Sequence, residues 1–286
     1  MIASSSRRIT KRRRAVVVYA DGDPKVRRET LAGEEPLEIR VNDQQLAVTM
    51  RTPGDDFDLV CGNLVSESLL FHQEQIGSLR YCGENVDADG ERSWNVIDAN
   101  LPGLGPDAIS TRRVITTSAC GVCGATSIDE VRRSSHFESY EAVPTEQLTV
   151  ATLLQLPDLL REQQALFDST GGLHAAALFS FSGQLQFVRE DVGRHNAVDK
   201  VIGAALRSGE LPARNTVMQV SGRASFELVQ KCHLAGVPVM AAVSAPSSLA
   251  VELAEEVGLT LVGFSRGDRA TIYTHPQRVT GVDIDL

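Results

Sequence analysis

The sequence predicts an α/β protein whose C-terminal half is a mixed, largely parallel sheet with helices on both faces. A smaller, β-rich α+β domain precedes it. Two observations support this prediction: the second half alternates near-continuous apolar strands with helical patterns, and the first half consists mainly of short strands and turns. Apolar strands of this kind are typical of sheets that are covered on both faces. We therefore predict an N-terminal domain at 21–145 and a C-terminal domain at 146–286, with the boundary near Pro144.

In the first half, Leu37–Val41 and Leu46–Met50 read as strands on either side of the turn residues Asn42-Asp43. This pattern predicts a β-hairpin. A helix is predicted over Asp55–Leu70, because apolar residues recur there at helical spacing and an aspartate stands at the start. A further short strand is expected at Arg113–Thr116.

The second half predicts a regular succession of elements. In chain order these are a helix at 148–166, strands at His174–Phe181 and Gln184–Val188, a helix at Arg194–Arg207, a strand at Thr216–Val220, a helix that Ser221-Gly222-Arg223 opens and that runs through Leu234, a strand at Val237–Val243, a helix that Ser247 or Ser248 caps, and a strand at Leu259–Phe264. Gly209 and Gly258 follow two of the helices, where glycine favours the end of a helix.

The composition restricts the classes of partner. The chain has 286 residues, of which 42% are hydrophobic and 23% charged, as in ordinary soluble globular proteins. No apolar run approaches the roughly 20 residues that a membrane span needs. The formal net charge of −9 argues against a general nucleic-acid-binding protein, because phosphate binding relies on surplus lysine and arginine. We therefore expect neither a nucleic acid nor a membrane as a partner.

Residues 1–20 form a basic segment. Its positive side chains crowd into eight positions: Arg7, Arg8, Lys11, Arg12, Arg13 and Arg14. A twin-arginine export signal would continue with a long apolar region, but the run Ala15–Ala20 gives way at once to Asp21. We predict a solvated, disordered tail. Without a signal, and with an odd number of cysteines, the sequence favours the cytoplasm and argues against structural disulfides.

The most informative motif is a C-x-x-C pair, Cys120 and Cys123, within the stretch 116–124. Such a pair brings two thiols within reach of each other and often lowers the pKa of one of them, so that a thiolate exists near neutral pH. The flanking residues are small, which suits a loop that exposes its sulfurs better than one that encloses a metal. The motif favours sulfur chemistry at these two residues.

Two alternatives remain open for this pair. A thioredoxin-like dithiol oxidoreductase carries a similar motif, but there the pair opens a helix within a compact βαβ unit. A structural zinc site would use Cys120 and Cys123 as half of its ligands and needs a second pair for tetrahedral closure. The other cysteines, Cys61, Cys82 and Cys232, are isolated in the sequence.

Three further segments combine glycine with arginine at the predicted ends of strands: Arg189–Asn196, Ser221–Ser225 and Phe264–Arg269. Ligands of open α/β sheets bind at such ends, where backbone amides and guanidinium groups suit an anionic ligand. Taken singly, each segment fits a polar helix start or turn better than a ligand site, and only their convergence on one sheet edge favours a phosphate site. The loop before the strand that begins at His174 contains a double glycine, and His174 faces either a ligand or a backbone carbonyl. The candidate ligand-binding residues are His174, Arg194, His195, Ser221, Gly222, Arg223, Phe264, Ser265, Arg266, Gly267, Asp268 and Arg269.

These motifs together resemble the formate dehydrogenase accessory sulfurtransferase (FdhD) family, from about residue 30 onward. The resemblance rests on five stretches, which are Ser118–Gly124, Thr170–Ala176, Arg189–Lys200, Ser221–Arg223 and Tyr273–Pro276. It implies that the protein takes persulfide sulfur from a cysteine desulfurase and passes it to the molybdenum bis-(molybdopterin guanine dinucleotide) cofactor, bound as a substrate, before formate dehydrogenase receives that cofactor. By the same resemblance, Cys120 bears the persulfide, Cys123 is its partner, Phe264–Arg269 bind the cofactor, and the protein is a homodimer.

The family's second domain is similar in topology to the cytidine deaminases, and the predicted element order agrees with that. Zinc deaminases need an H-x-E motif at one helix start and P-C-x-x-C at the next. Here the first helix reads His195-Asn196-Ala197, with alanine in place of the glutamate, and Ser221–Ser225 offer no cysteine. We therefore expect no catalytic zinc, and a site in this position that suits a nucleotide.

Overall fold

The computed structural model describes residues 9–82, 94–105, 108, 135–137 and 147–282. The C-x-x-C pair, the strand predicted at Arg113–Thr116 and the predicted domain boundary near Pro144 lie outside these residues. The domain division stays a prediction. None of the helices in the described ranges has the length and apolar content that crossing a membrane requires.

The first half contains strands β1 (Thr10–Val17), β2 (Lys25–Ala32), β3 (Glu35–Val41), β4 (Gln44–Arg51), β5 (Ser78–Tyr81) and β6 (Val96–Asn100), helix α1 (Asp56–Ser66) and a short 3₁₀ helix (Gln73–Gln75). Four of the strands form a sheet in the order β4-β3-β6-β5. The predicted hairpin is confirmed as β3–β4. Its turn residues Asn42 and Asp43 have φ of 50° and 64°, values that two-residue hairpin turns require and that asparagine and aspartate tolerate.

The basic N-terminal segment is not a disordered tail over its described part. Residues Thr10–Val17 form β1, which pairs antiparallel with β2 along its whole length. Charge alone suggested a solvated chain, but the partner strand lies immediately after a short turn and supplies the backbone hydrogen bonds. The result is a two-stranded ribbon that projects basic side chains.

The second half contains β7 (Leu148–Thr149), α2 (Val150–Glu162), α3 (Ala165–Thr170), β8 (His174–Ser180), β9 (Leu185–Asp191), α4 (Arg194–Arg207), β10 (Thr216–Val220), α5 (Phe226–Leu234), β11 (Val239–Ala242), α6 (Ser248–Glu256), β12 (Thr260–Arg266), β13 (Arg269–Ile272), a 3₁₀ helix (Pro276–Arg278) and β14 (Val279–Thr280). The helix predicted at 148–166 is two helices, α2 and α3. The helix predicted to open at Ser221 begins at Phe226, so that Ser221-Gly222-Arg223 form a loop before it.

The second half forms a six-stranded mixed sheet in the order β13-β12-β11-β10-β8-β9, which confirms the predicted fold class. It is less parallel than the sequence indicated. The pairs β10–β11 and β11–β12 are parallel, and the other three pairs are antiparallel.

Helices cover both faces of this sheet, as predicted. Side chains alternate along each strand, so that Ala177 and Phe179 of β8 pack with Leu156 of α2 on one face. Ala176 and Leu178 of the same strand belong to a second core, which includes α4, α5 and α6 and continues into the first half of the chain. Strands buried on both faces explain the continuous apolar runs in the sequence.

Helices α1 and α4 hold the two halves together by a close crossing. A Cβ atom at Gly62 would lie 1.8 Å from the carbonyl oxygen of Asp199, and one at Gly203 would lie 1.8 Å from that of Asp58. Only glycine allows the two backbones to approach to this distance. The start of α4, where Arg194 and His195 stand, is thereby fixed against the first half.

Candidate functional site

A cavity of about 640 Å³ lies at the end of the sheet where β8 begins and β10, β11 and β12 end. We call it the His174 cavity, and its lining includes Arg161, Gly171, Gly172, His174, Ser221 and Arg266. The carboxyl ends of neighbouring parallel strands meet at one edge of a sheet, and ligands of open α/β sheets bind there. Three residues predicted from separate segments, namely His174, Ser221 and Arg266, therefore line one cavity.

Backbone and side-chain hydrogen bonds tie the loops of this cavity together. The Ser221 hydroxyl oxygen accepts the N–H of Ala175 at 2.9 Å, and the Ser221 N–H donates to the Ala175 carbonyl at 3.0 Å. Next to it, the Gly222 carbonyl accepts the N–H of Ser244 at 3.2 Å, and the Ser244 carbonyl accepts the N–H of Phe264 at 3.2 Å. The loops after β10 and β11 and the end of β12 are thus held in fixed positions.

The segment Phe264–Arg269 contains a β-bulge and a turn. The pairing of β12 with β13 shifts between Gly263 and Arg266, and Phe264 has a φ of 51°. Bulges re-aim side chains at the ends of strands and are frequent next to functional sites. The Ser265 side chain is fully buried, and its hydroxyl has no hydrogen-bond partner among the described residues.

The same turn divides the predicted ligand-binding residues between two cavities. Arg266 lines the His174 cavity. Asp268 and Arg269 line a second cavity of about 730 Å³, with Leu153 and Tyr273 among its other residues. The structure therefore separates Arg266 from Arg269, which the sequence placed in one binding stretch.

Arg194 and His195 stand at the first turn of α4. His195 Nε2 lies 2.7 Å from a carboxylate oxygen of Glu227 and 3.5 Å from the Ser225 hydroxyl. Arg194 has a buried Nε without a hydrogen-bond partner among the described residues. Burial on its own would raise the pKa of Glu227, but the hydrogen bond from His195 and the nearby positive charges outweigh it and lower that pKa. Glu227 is thus a fixed anion that orients His195.

Glu227 is a partner of His195 that the sequence did not predict. It lies in the first turn of α5, two residues after Ser225. A glutamate in the first turn of a helix commonly stabilises the start of that helix by its negative charge. Conversely, some residues that were predicted as ligands are not among those that line the His174 cavity, namely Arg194, His195, Gly222 and Arg223. Arg223 is in addition exposed.

Much of the motif 189–200 has a structural role. Arg189 donates to Asp58 of α1 at 2.7 Å, and the two carboxylate oxygens of Glu190 accept the N–H groups of Leu166 and Phe167 at the start of α3. Asp191 pairs with Lys200 at 2.8 Å, and Asp199 pairs with Lys231 at 2.7 Å. Arg194 and His195 remain as the motif's candidates for ligand binding.

The cysteines within the described residues differ in environment. Cys61 and Cys232 are fully buried. Burial raises the pKa of the Cys61 thiol to about 12, and burial also raises the pKa of the Cys232 thiol. Because the thiolate is the reactive form, both thiols are unsuited to sulfur exchange near neutral pH. Cys82 is half-buried.

We expect an acid-side loss of stability from the cavity histidine. Burial lowers the pKa of His174 below its ordinary 6.5, and the proximity of Arg194 and His195 lowers it further, against a smaller opposing effect of Asp191. The unfolded chain then binds this proton at a higher pH than the folded chain, so the free energy of unfolding falls as the pH drops below about 6.5. Burial lowers the pKa of His233 in the same direction.

Thermal unfolding between about pH 7.5 and 5 measures this effect. His174→Gln should reduce the acid-side fall in melting temperature, whereas the same change at the exposed His72 serves as the matched control. An acid-side slope that is identical in His174→Gln and in the unaltered protein would contradict the assignment.

Known proteins are similar to this chain in sequence and in fold. A model of the FdhD/NarQ family matches residues 32–280. A Streptomyces coelicolor protein named sulfur carrier protein FdhD is 53% identical over 274 residues, which are 95% of this chain and 96% of that protein. A protein of the same name from Mycobacterium tuberculosis is 54% identical over 260 residues, which are 89% of this chain and 93% of that one.

Among solved structures, the crystal structure of a formate dehydrogenase accessory protein from Desulfotalea psychrophila is similar with a TM-score of 0.72 at 25% identity. The similarity covers 95% of this chain and 99% of that one. The family match includes both halves of the fold, the C-x-x-C pair and every residue of the His174 cavity. The chain therefore belongs to the FdhD/NarQ family.

Proposed function

We propose that this protein is a sulfur carrier for a formate dehydrogenase. It takes persulfide sulfur from a cysteine desulfurase and delivers it to the molybdenum bis-(molybdopterin guanine dinucleotide) cofactor, before that cofactor enters the dehydrogenase. The relatives that are similar over most of their length are named as sulfur carriers, and the similar solved structure is a formate dehydrogenase accessory protein.

The observation that carries this proposal is the distribution of thiols. Cys61 and Cys232 are buried with raised thiol pKa values, which removes them as sulfur-bearing residues. The C-x-x-C pair is the motif suited by its sequence to a reactive thiolate. Cys82 is half-buried and stands outside any paired motif. We assign sulfur transfer to Cys120 and Cys123.

Loading follows from thiol exchange. The Cys120 thiolate attacks the outer sulfur of the donor's cysteine persulfide, an S–S bond forms at Cys120, and the donor cysteine leaves as a thiolate. In delivery, the outer sulfur passes to the metal of the substrate cofactor, which supplies two electrons, and Cys120 leaves as a thiolate. Two roles fit Cys123. In the first, the Cys123 thiolate attacks Cys120 of the persulfide, the outer sulfur leaves to the metal as sulfide without electrons from the metal, and a cellular dithiol reductant then reduces the Cys120–Cys123 disulfide. In the second, Cys123 lowers the pKa of the Cys120 thiol that leaves.

The His174 cavity is our proposed site for a guanine nucleotide portion of the cofactor. Its volume lies in the range of about 300–1,000 Å³ that is usual for small-molecule sites. Arg266 gives it a positive charge, while Arg161 is paired with Asp168 and Asp158 adds a negative charge to the lining. Gly171-Gly172 allow a ligand to approach the backbone closely. We also propose a homodimer, because the substrate cofactor has two guanines to hold.

Removal of Arg266 tests the nucleotide site. We expect Arg266→Ala to weaken GDP binding roughly tenfold or more, because losing a charge-assisted hydrogen bond costs about 1.5–3 kcal/mol. Isothermal titration calorimetry measures the affinity. The matched control is Arg214→Ala, which changes an exposed arginine just before the start of β10, at the end of that strand away from the cavity. Arg269→Ala in the same assay measures the contribution of the second cavity. Unchanged affinity in both Arg266→Ala and Arg269→Ala would refute the role of this turn.

Transfer of labelled sulfur tests the carrier function. Incubation with a cysteine desulfurase and ³⁵S-cysteine should label the protein, and a thiol reductant should discharge the label, since a persulfide is reducible. A protein that acquires no label while the desulfurase remains active would contradict the proposal.

A further inference from the structure

The ribbon formed by β1 and β2 concentrates positive charge on an acidic protein. Its two strands carry Lys11, Arg12, Arg13, Arg14, Lys25, Arg27 and Arg28 against the single acidic residue Glu29, whereas the whole chain has a formal net charge of −9. All seven basic side chains are exposed, and none has an ion-pair partner among the described residues.

One face of the ribbon carries arginines and apolar side chains, with Thr10 and Thr30 as its neutral polar residues and no acidic residue. Residues directly opposite each other in an antiparallel pair share a face, and here Arg14 is opposite Arg28 and Val16 is opposite Val26. Arg12 lies on the same face, two residues before Arg14. We call these five residues the arginine face. The opposite face mixes charges, because Arg13 there stands opposite Glu29.

The arginine face has features that folding alone does not explain. Like charges directly opposite each other, as in Arg14 and Arg28, destabilise a ribbon. Beside them, Val16 and Val26 are 62% and 59% exposed. Arginine next to exposed apolar side chains is typical of the centre of protein–protein interfaces. The surface therefore suits a partner with an acidic strip beside an apolar patch.

The charge pattern favours a protein over a membrane or a nucleic acid. The turn that joins the two strands carries Asp21 and Asp23, both exposed, at the tip of the ribbon. A uniformly anionic surface would repel these aspartates together with the acidic remainder of the chain. A folded protein with a limited acidic strip can contact the arginine face without repelling the aspartates at the tip or the acidic remainder of the chain.

The ribbon also lies close to the candidate site. Strand β2 packs beside α3. Phe167 of that helix lines the His174 cavity, and so do Gly171 and Gly172, which directly follow it. A protein bound to the ribbon is therefore held next to the part of the molecule where we place the cofactor.

Building on the proposed function, we infer that the arginine face docks the sulfur-donating protein. In persulfide transfer, the acceptor cysteine attacks the outer sulfur on the donor cysteine. The donor protein must therefore contact this chain in every loading step. Charged docking accelerates association and allows rapid release, as a repeated transfer requires. The partner is thus a cysteine desulfurase with an acidic, partly apolar surface near its persulfide.

The test compares two triple variants with the same change of charge. Arg12→Glu, Arg14→Glu and Arg28→Glu alter the arginine face, and Lys11→Glu, Arg13→Glu and Arg27→Glu alter the opposite face. A third variant with Arg12, Arg14 and Arg28 each changed to Gln avoids new like-charge pairs. All are made in the full chain and assayed at about 0.15 M salt, where the Debye length is about 8 Å.

We expect the arginine-face variants to load sulfur from the desulfurase and cysteine at least about tenfold more slowly, with a change of less than about threefold for the opposite face. All variants should load from glutathione persulfide at the rate of the unaltered chain, which shows that they are folded. Equal loading from the desulfurase in all chains, or equal losses on both faces, would overturn the inference.

A binding measurement separates this inference from the proposed function. In a Cys120→Ala background, the affinity of purified desulfurase for the chain should fall on changing the arginine face and not on changing the opposite face. If the chain accepts no sulfur even from glutathione persulfide, the proposed function fails. The affinity for the desulfurase then still tests the docking surface. A loss of affinity only in the arginine-face variants supports the docking surface, and no loss of affinity in them overturns it.

Discussion

Replacement of Cys120 by alanine should abolish sulfur delivery. In cells that lack the native protein, the variant should restore less than about one hundredth of the formate dehydrogenase activity that the unaltered chain restores, because no other sulfur nucleophile replaces a persulfide carrier. Cys123→Ala should retain measurable activity, since the second thiol assists the exchange and does not bear the transferred sulfur.

The control is Cys82→Ala, which removes a half-buried thiol outside the C-x-x-C pair. It should restore activity at the level of the unaltered chain. If Cys120→Ala were active and Cys123→Ala inactive, the roles of the two cysteines would be reversed. If both were active, the carrier function would be assigned to the wrong motif.

The second large effect concerns the buried ion pair between Lys200 of α4 and Asp191 at the end of β9. Their side chains are 1% and 0% exposed, and the charged atoms lie 2.8 Å apart. Lys200 also donates to the carbonyl of Thr52, and Asp191 accepts the N–H of the same residue, so the pair links the first half of the chain to α4. Lys200→Met should lower the free energy of unfolding by about 3–5 kcal/mol, because it leaves a buried carboxylate without its cation.

Urea denaturation followed by circular dichroism measures this loss. Arg161→Met is the matched control, because the Arg161–Asp168 pair is exposed and pairs of that kind contribute about 0–1 kcal/mol. If the free energy of unfolding fell by a comparable amount in both variants, burial would not determine how much the Asp191–Lys200 pair contributes to stability.

Where local pattern determines structure, the sequence predicted it well. The bounds Arg194–Arg207 and Thr216–Val220 agree with the observed α4 and β10, because helical periodicity and a following glycine define the first and a continuous apolar run the second. The rule that ligands bind at the strand ends of such sheets predicted that Arg189–Asn196, Ser221–Ser225 and Phe264–Arg269 converge. The His174 cavity brings together Ser221 and Arg266 with His174, but no residue of 189–196 lines it.

Where contacts between distant segments determine the structure, the sequence predicted it poorly. The charge of Arg12–Arg14 indicated a disordered tail, because the strand that pairs with it is visible only in three dimensions. Glu190 and Asp191 were read as part of a site for an anionic ligand. Glu190 instead accepts N–H groups at the start of α3, and Asp191 forms a buried ion pair. Glu227 escaped notice because its partner, His195, lies 32 residues away.

The most direct test of the carrier function is the mass of the peptide that contains Cys120. After incubation with a cysteine desulfurase and cysteine, and digestion without reductant, this peptide should gain about 32 Da, the mass of one sulfur atom in a persulfide. A gain on the peptide of Cys61, Cys82 or Cys232 in place of that of Cys120, or the absence of any reducible gain, would contradict the assignment of Cys120 as the sulfur-bearing residue.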